Sequence, residues 1–264
     1  MKLYRDIFAA QKKHQSRLGV SAPPLDDVQI NTRLEEGLPL LEPEHLEIDY
    51  ATFNDLFREL KGIVARKSKS AELHDREFLK SRELDGEEVE ELGRAWLEGR
   101  EDYLETQAAE LGVDYSILSL LLHATFAACF RKLAEELRSR ADLDQYPGAD
   151  CPICGAPPVM GFNRDEDGLR VLECSLCGSR WGTPRMLCLF CGTPDQSKLR
   201  YLFVNEDRTR RIHVCEGCKK YIKIVDRKGQ TEDIVLPLED LFTAYLDEAA
   251  RTEGYDRGCR TVFS

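Results

Sequence analysis

The sequence predicts an α+β protein: an N-terminal helical bundle, then two tandem cysteine-knuckle β-ribbons, then a C-terminal helix that packs back on the bundle. Three observations carry this expectation. Apolar residues recur at three- and four-residue steps through most of the first 147 residues. Eight of the ten cysteines fall between Cys151 and Cys218 as four pairs of one spacing, Cys151/Cys154, Cys174/Cys177, Cys188/Cys191 and Cys215/Cys218. A last apolar stripe, Leu238, Leu241, Phe242, Tyr245, Leu246, Ala249 and Ala250, follows Pro237. The expected divisions are residues 1–147 for the helices, 148–192 and 188–230 for the two ribbons, which overlap at the third cysteine pair, and 231–264 for the final helix and tail.

Taken in order, residues 3–18 place Leu3, Ile7, Ala10 and Leu18 opposite Arg5, Lys12 and Lys13, an amphipathic helix that stops before Gly19. Four prolines between Ser21 and Glu47 predict an extended segment that wraps over helices and holds at most one short helix. Tyr50, Phe53, Leu56, Phe57, Leu60, Ile63 and Val64 give a helix capped by Asp49. A further helical stretch covers Ala71–Leu79. After Asp85-Gly86, the acidic turn Glu87, Glu88, Glu90 and Glu91 opens a helix whose core face runs from Val89 to Leu104. Those glutamates read as a solvated face rather than an acid/base cluster. From Tyr115 to Ser139 the pattern is apolar almost all round, as a central helix requires, and its His123 and Cys129 read as packed core groups. Asp144-Gln145-Tyr146-Pro147-Gly148 ends the helical region.

Between the first two cysteine pairs, Pro158–Phe162, the polar turn Asn163–Gly168 and Leu169–Glu173 read as a β-hairpin. The same order recurs between the last two pairs, as Lys198–Val204, Asn205–Thr209 and Arg210–Val214, so the module is an internal repeat. A strand over Tyr221–Asp226 and the turn Arg227-Lys228-Gly229 follow. A hairpin brings its ends together, so the first and second pairs should share one ion and the third and fourth another; the rival is a crossed pairing. Two facing two-residue turns supply a tetrahedral four-sulfur site, which accepts either zinc or iron. Glycine follows three of the pairs, as Gly155, Gly178 and Gly192, where a knuckle needs a positive φ, but Lys219 follows the fourth. His213, two residues before Cys215, reads as a packed strand residue rather than a ligand.

Composition sets the limits on function. A chain of 264 residues with 42% apolar content can bury a core in two domains. The longest mostly apolar run, Ile117–Phe130, is about 14 residues against the roughly 20 that span a bilayer, so no membrane insertion is expected. No export signal is visible near the N-terminus, so the expected compartment is the reducing cytoplasm, where paired cysteines bind metal or do redox chemistry more often than they form disulfides. The net charge of −11 is uneven: −10 over residues 1–148, +3 over 149–227 and −4 over 228–264. Eight thiolates around two divalent ions bring the cysteine module close to neutrality, which argues against binding nucleic acid through phosphate contacts. Four thiolates per site leave no open position for an activated water, so hydrolysis is not expected and the protein reads as no enzyme.

The module resembles the formate dehydrogenase accessory protein FdhE family. The residues that carry the likeness are Cys151-Pro-Ile-Cys-Gly155 with Pro157-Pro158-Val159, Cys174-Ser-Leu-Cys-Gly178 with Trp181, Arg185 and Cys188/Cys191, and Cys215-Glu-Gly-Cys218 with Tyr221, Lys223 and Asp226. The likeness covers Asp150–Asp226 and, more loosely, the last helix; the close Cys259-Arg-Thr-Val-Phe-Ser264 departs from the family's Asn-Pro-Phe-like end. What the resemblance implies is a cytoplasmic assembly factor that binds the immature catalytic subunit of formate dehydrogenase, a molybdenum or tungsten enzyme. It implies two metal ions, rubredoxin-like iron or zinc, and it makes Trp181, Arg185, Tyr221, Lys223 and Asp226 candidates for contact with the partner. The alternatives in other classes are a rubredoxin-type electron carrier, a double zinc-ribbon binding nucleic acid or protein, and a dithiol oxidoreductase using one metal-free pair.

Overall fold

The computed structural model describes residues 2–67, 73–164, 168–204, 206–226 and 234–259. The expected start of a helix at Ala71, the middle of the turn Asn163–Gly168, Asn205 in the second turn, the turn Arg227-Lys228-Gly229 and the tail beyond Cys259 lie outside these residues. The chain divides into two compact units, residues 1–24 with 41–136, and residues 25–40 with 137–264.

The first unit is helical. It contains α1 (Lys2–Gln15), α3 (Tyr50–Lys67), α4 (Leu73–Lys80), α5 (Gly86–Leu97), α6 (Glu101–Glu110) and almost all of α7 (Tyr115–Arg138), with a two-residue antiparallel pairing of β1 (Val20–Ser21) and β2 (Glu47–Ile48). Asp49 caps α3 as expected, its Oδ1 accepting from the Ala51 amide at 3.0 Å. The single helix expected from Glu87 to Leu104 is two helices. The break falls at Gly99, whose φ of +67° lets the Gly99 and Arg100 amides turn back onto the carbonyls of Trp96 and Ala95 and close α5. Phe126 on α7 stacks on Trp96 at 4.4 Å and meets Phe53 at 4.7 Å, so the apolar residues of α7 form the centre of the unit. Helix α7 is long and apolar enough to cross a membrane by length and composition, yet 61% of its most apolar window is buried inside the molecule. Cys129 is enclosed, and burial pushes its thiol up to about 12, in keeping with a core residue.

The second unit is built on one sheet. Its strands are β3 (Pro158–Asn163), β4 (Arg170–Cys174), β5 (Arg180–Thr183), β6 (Leu199–Leu202), β7 (Arg210–Cys215), β8 (Lys220–Val225) and β9 (Asp256–Arg257). The order β5-β4-β3-β8-β7-β6, with β9 on β8, joins two three-stranded antiparallel ribbons. The joint is a parallel pairing of β3 with β8, Gly161 opposite Ile224 and Phe162 opposite Val225. The two expected hairpins are there, but each gains a third strand. The first ribbon packs a core of Val159, Met160, Phe162 and Val171 with Val225, Ile234 and Leu236, and the second packs its own, Ile212, Val214 and Tyr221 with Leu246, Ala250 and Tyr255.

Two helical expectations change in this unit. The proline-rich segment is divided: residues 43–47 lie beside α3 and α5 in the helical unit, whereas residues 25–40 go with the second unit and reach the first cysteine knuckle. The latter carry α2 (Asp27–Glu35), closed by a capping box between Asp26 and Gln29. Beyond α2, the Leu40 amide donates to Pro152 O at 2.9 Å, and the Tyr146 hydroxyl donates to Gly37 O at 2.8 Å. The C-terminal helix is two, α8 (Leu236–Phe242) and α9 (Ala244–Thr252), and both pack on the sheet of their own unit, α8 against β3 and α9 against β7 and β9.

Candidate metal centres

Each cysteine pair sits on a tight turn closed by backbone bonds. The Gly155 amide donates to Cys151 O at 2.8 Å, that of Gly192 to Cys188 O at 3.0 Å and that of Lys219 to Cys215 O at 2.9 Å. Gly155, Gly178 and Gly192 have φ near +70°. Lys219 adopts the same left-handed conformation, φ +56°, with no glycine there, its ammonium paired with Glu216 and lying 5.1 Å from the centre of the Tyr255 ring.

The turns bring the eight sulfurs into two groups, Cys151/Cys154/Cys174/Cys177 and Cys188/Cys191/Cys215/Cys218, with all four Sγ atoms of a group within 4.8 Å of one another. This is the sequential pairing. The hairpin β3–β4 carries the second pair back to the first, and β6–β7 does the same for the third and fourth. In the first group, Cys151 and Cys177 lie 3.5 Å apart, as do Cys154 and Cys174. In the second the corresponding separations are 3.7 and 3.8 Å. Disulfide sulfurs would be about 2.05 Å apart, whereas a tetrahedral ion with metal–sulfur bonds of about 2.3 Å needs edges of about 3.8 Å. Both groups therefore fit a four-coordinate ion, and neither includes a histidine or carboxylate.

Hydrogen bonds prepare the sulfurs for that role. The amides of Ile153, Leu176 and Phe190 point at Cys151, Cys174 and Cys188 at 3.3–3.4 Å. Ser179 Oγ lies 3.1 Å from Cys177 Sγ, a contact that no sequence signal announces. Four thiols this close do not ionise alike. Burial pushes Cys151 well up; Cys177, despite burial, is drawn well down by hydrogen bonds from the other three cysteines and Ser179. A divalent ion removes the conflict, because all four then bind as thiolates.

Residues 150–185, which hold the first four-cysteine group and its ribbon, match the family described as FdhE, central domain. A protein FdhE homolog of Aquifex aeolicus is 27% identical over 235 residues, 88% of this chain and 76% of that protein. The chain is similar to FdhE proteins over most of its length. Other FdhE homologs are similar over shorter stretches: that of Actinobacillus pleuropneumoniae at 28% identity over 60% of this chain and 50% of the relative, and that of Pseudomonas putida at 34% over 41% and 36%. The chain thus matches half or less of the length of these two relatives. The crystal structure of the FdhE protein from Pseudomonas aeruginosa shares the fold, with a TM-score of 0.65 at 22% identity over 97% of this chain and 85% of that one.

The five residues taken as partner contacts have other surroundings. Trp181 is fully buried on β5, and Tyr221 and Lys223 are buried on β8, so their side chains have no surface to offer. Lys223 belongs to a four-residue ion cluster: its Nζ lies 2.7 Å from Asp240 Oδ1 and 2.6 Å from Asp247 Oδ2, and Arg257 Nη2 lies 2.6 Å from Asp240 Oδ1. The Tyr221 hydroxyl donates to Asp247 Oδ1 at 2.9 Å. Two cations and two carboxylates cancel, and the cluster ties β8 to α8, α9 and β9. Asp226 pairs with Arg211 at the end of β8. Arg185 is half-buried and lines a cavity beside Cys188 and Cys215. His213 is packed in the same place rather than liganding.

Proposed function

We propose that this protein is an assembly factor for formate dehydrogenase that acts in the cytoplasm, binds the immature catalytic subunit and catalyses no reaction of its own. The observation that carries the reading is the pair of closed four-cysteine groups on one continuous sheet in a chain similar to FdhE proteins. Four sulfurs fill a tetrahedral shell and leave no position for an activated water or a substrate, which favours a structural over a hydrolytic role for the ions. Each ion would fix two knuckles and, through them, the loops and strand ends that a client protein meets. Sulfurs held as separate thiols rather than disulfides suit a reducing compartment. A net charge of −11 disfavours nucleic acid as the partner.

Two experiments test the reading. The tagged protein should co-purify with a formate dehydrogenase catalytic subunit, and deletion of its gene should lower formate oxidation in the cell; undiminished activity in the deletion strain refutes the role. Metal analysis of anaerobically prepared protein should find two equivalents per chain, of iron or zinc. An electron-transfer reading draws support from the exposure of Cys191 at the second group. Reversible bleaching of an iron-loaded protein on reduction would favour it, and two zinc ions would exclude it.

A further inference from the structure

The two four-cysteine groups have different surroundings. All four cysteines of the first are buried, and Pro39 and Leu40 close over its first knuckle. In the second group Cys191 is exposed and Cys218 half-buried. Beside it lies a cavity of about 30 Å³ lined by Cys188 and Cys215 and by Arg170, Arg185 and His213. The second group is therefore reachable by solvent through Cys191 and Cys218.

Charge accounts for the guanidinium groups there. A divalent ion with four thiolates carries a net charge of about −2. Arg200 is paired with Glu216 at 2.7 Å and Arg211 with Asp226, but among the described residues no carboxylate pairs with Arg170 or Arg185. Arg170 is 3% exposed. Its Nε and Nη2 reach only neutral oxygens, Thr183 Oγ1 at 3.1 Å, Pro184 O at 3.2 Å and Leu187 O at 3.4 Å. A buried guanidinium without a counter-ion is unfavourable. The Cys188 sulfur, a thiolate when it binds metal, lines the same small cavity as Arg170.

We propose that the second four-cysteine group is the exchangeable metal centre of the two and that Arg170 and Arg185 are the counter-charges that retain its ion. The inference rests on the reading of both groups as metal centres. Its test uses full-length protein loaded with zinc, challenged with excess chelator while released zinc is followed with an indicator and freed thiols are alkylated and located by mass spectrometry. Two equivalents should leave in two phases, the first at least about tenfold faster, with Cys188, Cys191, Cys215 and Cys218 labelled during it and Cys151, Cys154, Cys174 and Cys177 only in the second. Arg185→Met should quicken the first phase on the order of tenfold, the scale of one lost charge close to the ion, and leave the second phase unchanged. Arg170→Met should do the same and Arg170→Lys should restore retention. If Arg170→Met fails to fold, Arg185→Met, whose side chain is only half-buried, still decides. Uptake of fewer than two equivalents overturns the metal reading and the inference with it. Uptake of two, followed by release and labelling of both groups together, or by release that Arg185→Met leaves unaltered, overturns the inference alone.

Discussion

At the level of single residues, the knuckles separate backbone need from side-chain need. Gly155 has a φ of +72°, and a Cβ there would meet nothing closer than Pro39 Cγ at 3.4 Å, so the demand for glycine is conformational rather than steric. Gly155→Ala should therefore destabilise the protein by about 1–2 kcal/mol, the left-handed penalty, read as a lowered Tm of the metal-loaded protein. Lys219 already carries that penalty at the fourth knuckle. Lys219→Gly relieves it while losing the Glu216 contact and loosening the unfolded chain, so its stability should stay within about 1 kcal/mol of the parent in denaturant titration. The ion cluster behaves differently. Lys223→Met leaves Asp240 and Asp247 enclosed with one cation, Arg257, for two carboxylates, and should cost about 3–5 kcal/mol in the same titration. The cysteines and three of the four knuckle turns were legible in the sequence, because a CxxCG spacing states its geometry locally. The fate of Lys223 was not. A lysine in a strand reads as exposed until Asp240 and Asp247, some twenty residues on, are folded over it.

At the level of elements, strand-like stretches on either side of a polar turn revealed the hairpins, and the hairpins gave the pairing. Their fusion into one sheet was hidden, because a parallel contact between the first strand of one ribbon and the last strand of the other leaves no mark on either segment. Gly161 is its trace. A Cβ at that position would stand 2.7 Å from Val171 O and 2.9 Å from Ile224 Cδ1, so only glycine allows β3 to lie between β4 and β8. Gly161→Val should force the ribbons apart at a cost of about 1–3 kcal/mol or more, seen as a lower Tm while the uptake of two metal ions is retained. The helix breaks at Gly99 and Thr243 were missed for a related reason. The apolar period runs on through both points, and the chain turns where a glycine in one case and a hydroxyl bonded back to Glu239 O in the other close the helix.

At the level of the whole molecule, the two units draw on different sources of stability. The helical unit has a packed aromatic centre around Phe126, whereas the sheet unit depends on eight sulfurs held together by ions whose binding supplies on the order of 10–16 kcal/mol per site in isolated peptides. Removal of metal should abolish the near-ultraviolet signal of Trp181 and open residues 150–226 to protease while most of the helical circular dichroism remains. The proposed role adds a requirement: the surface that meets formate dehydrogenase exists only when the knuckles are closed. The most direct measurement is capture of a purified formate dehydrogenase catalytic subunit by the metal-loaded and the metal-stripped protein, side by side. The account predicts capture by the loaded protein and its loss on stripping, with recovery when metal is restored; capture of equal strength by both forms, or by neither, would contradict it.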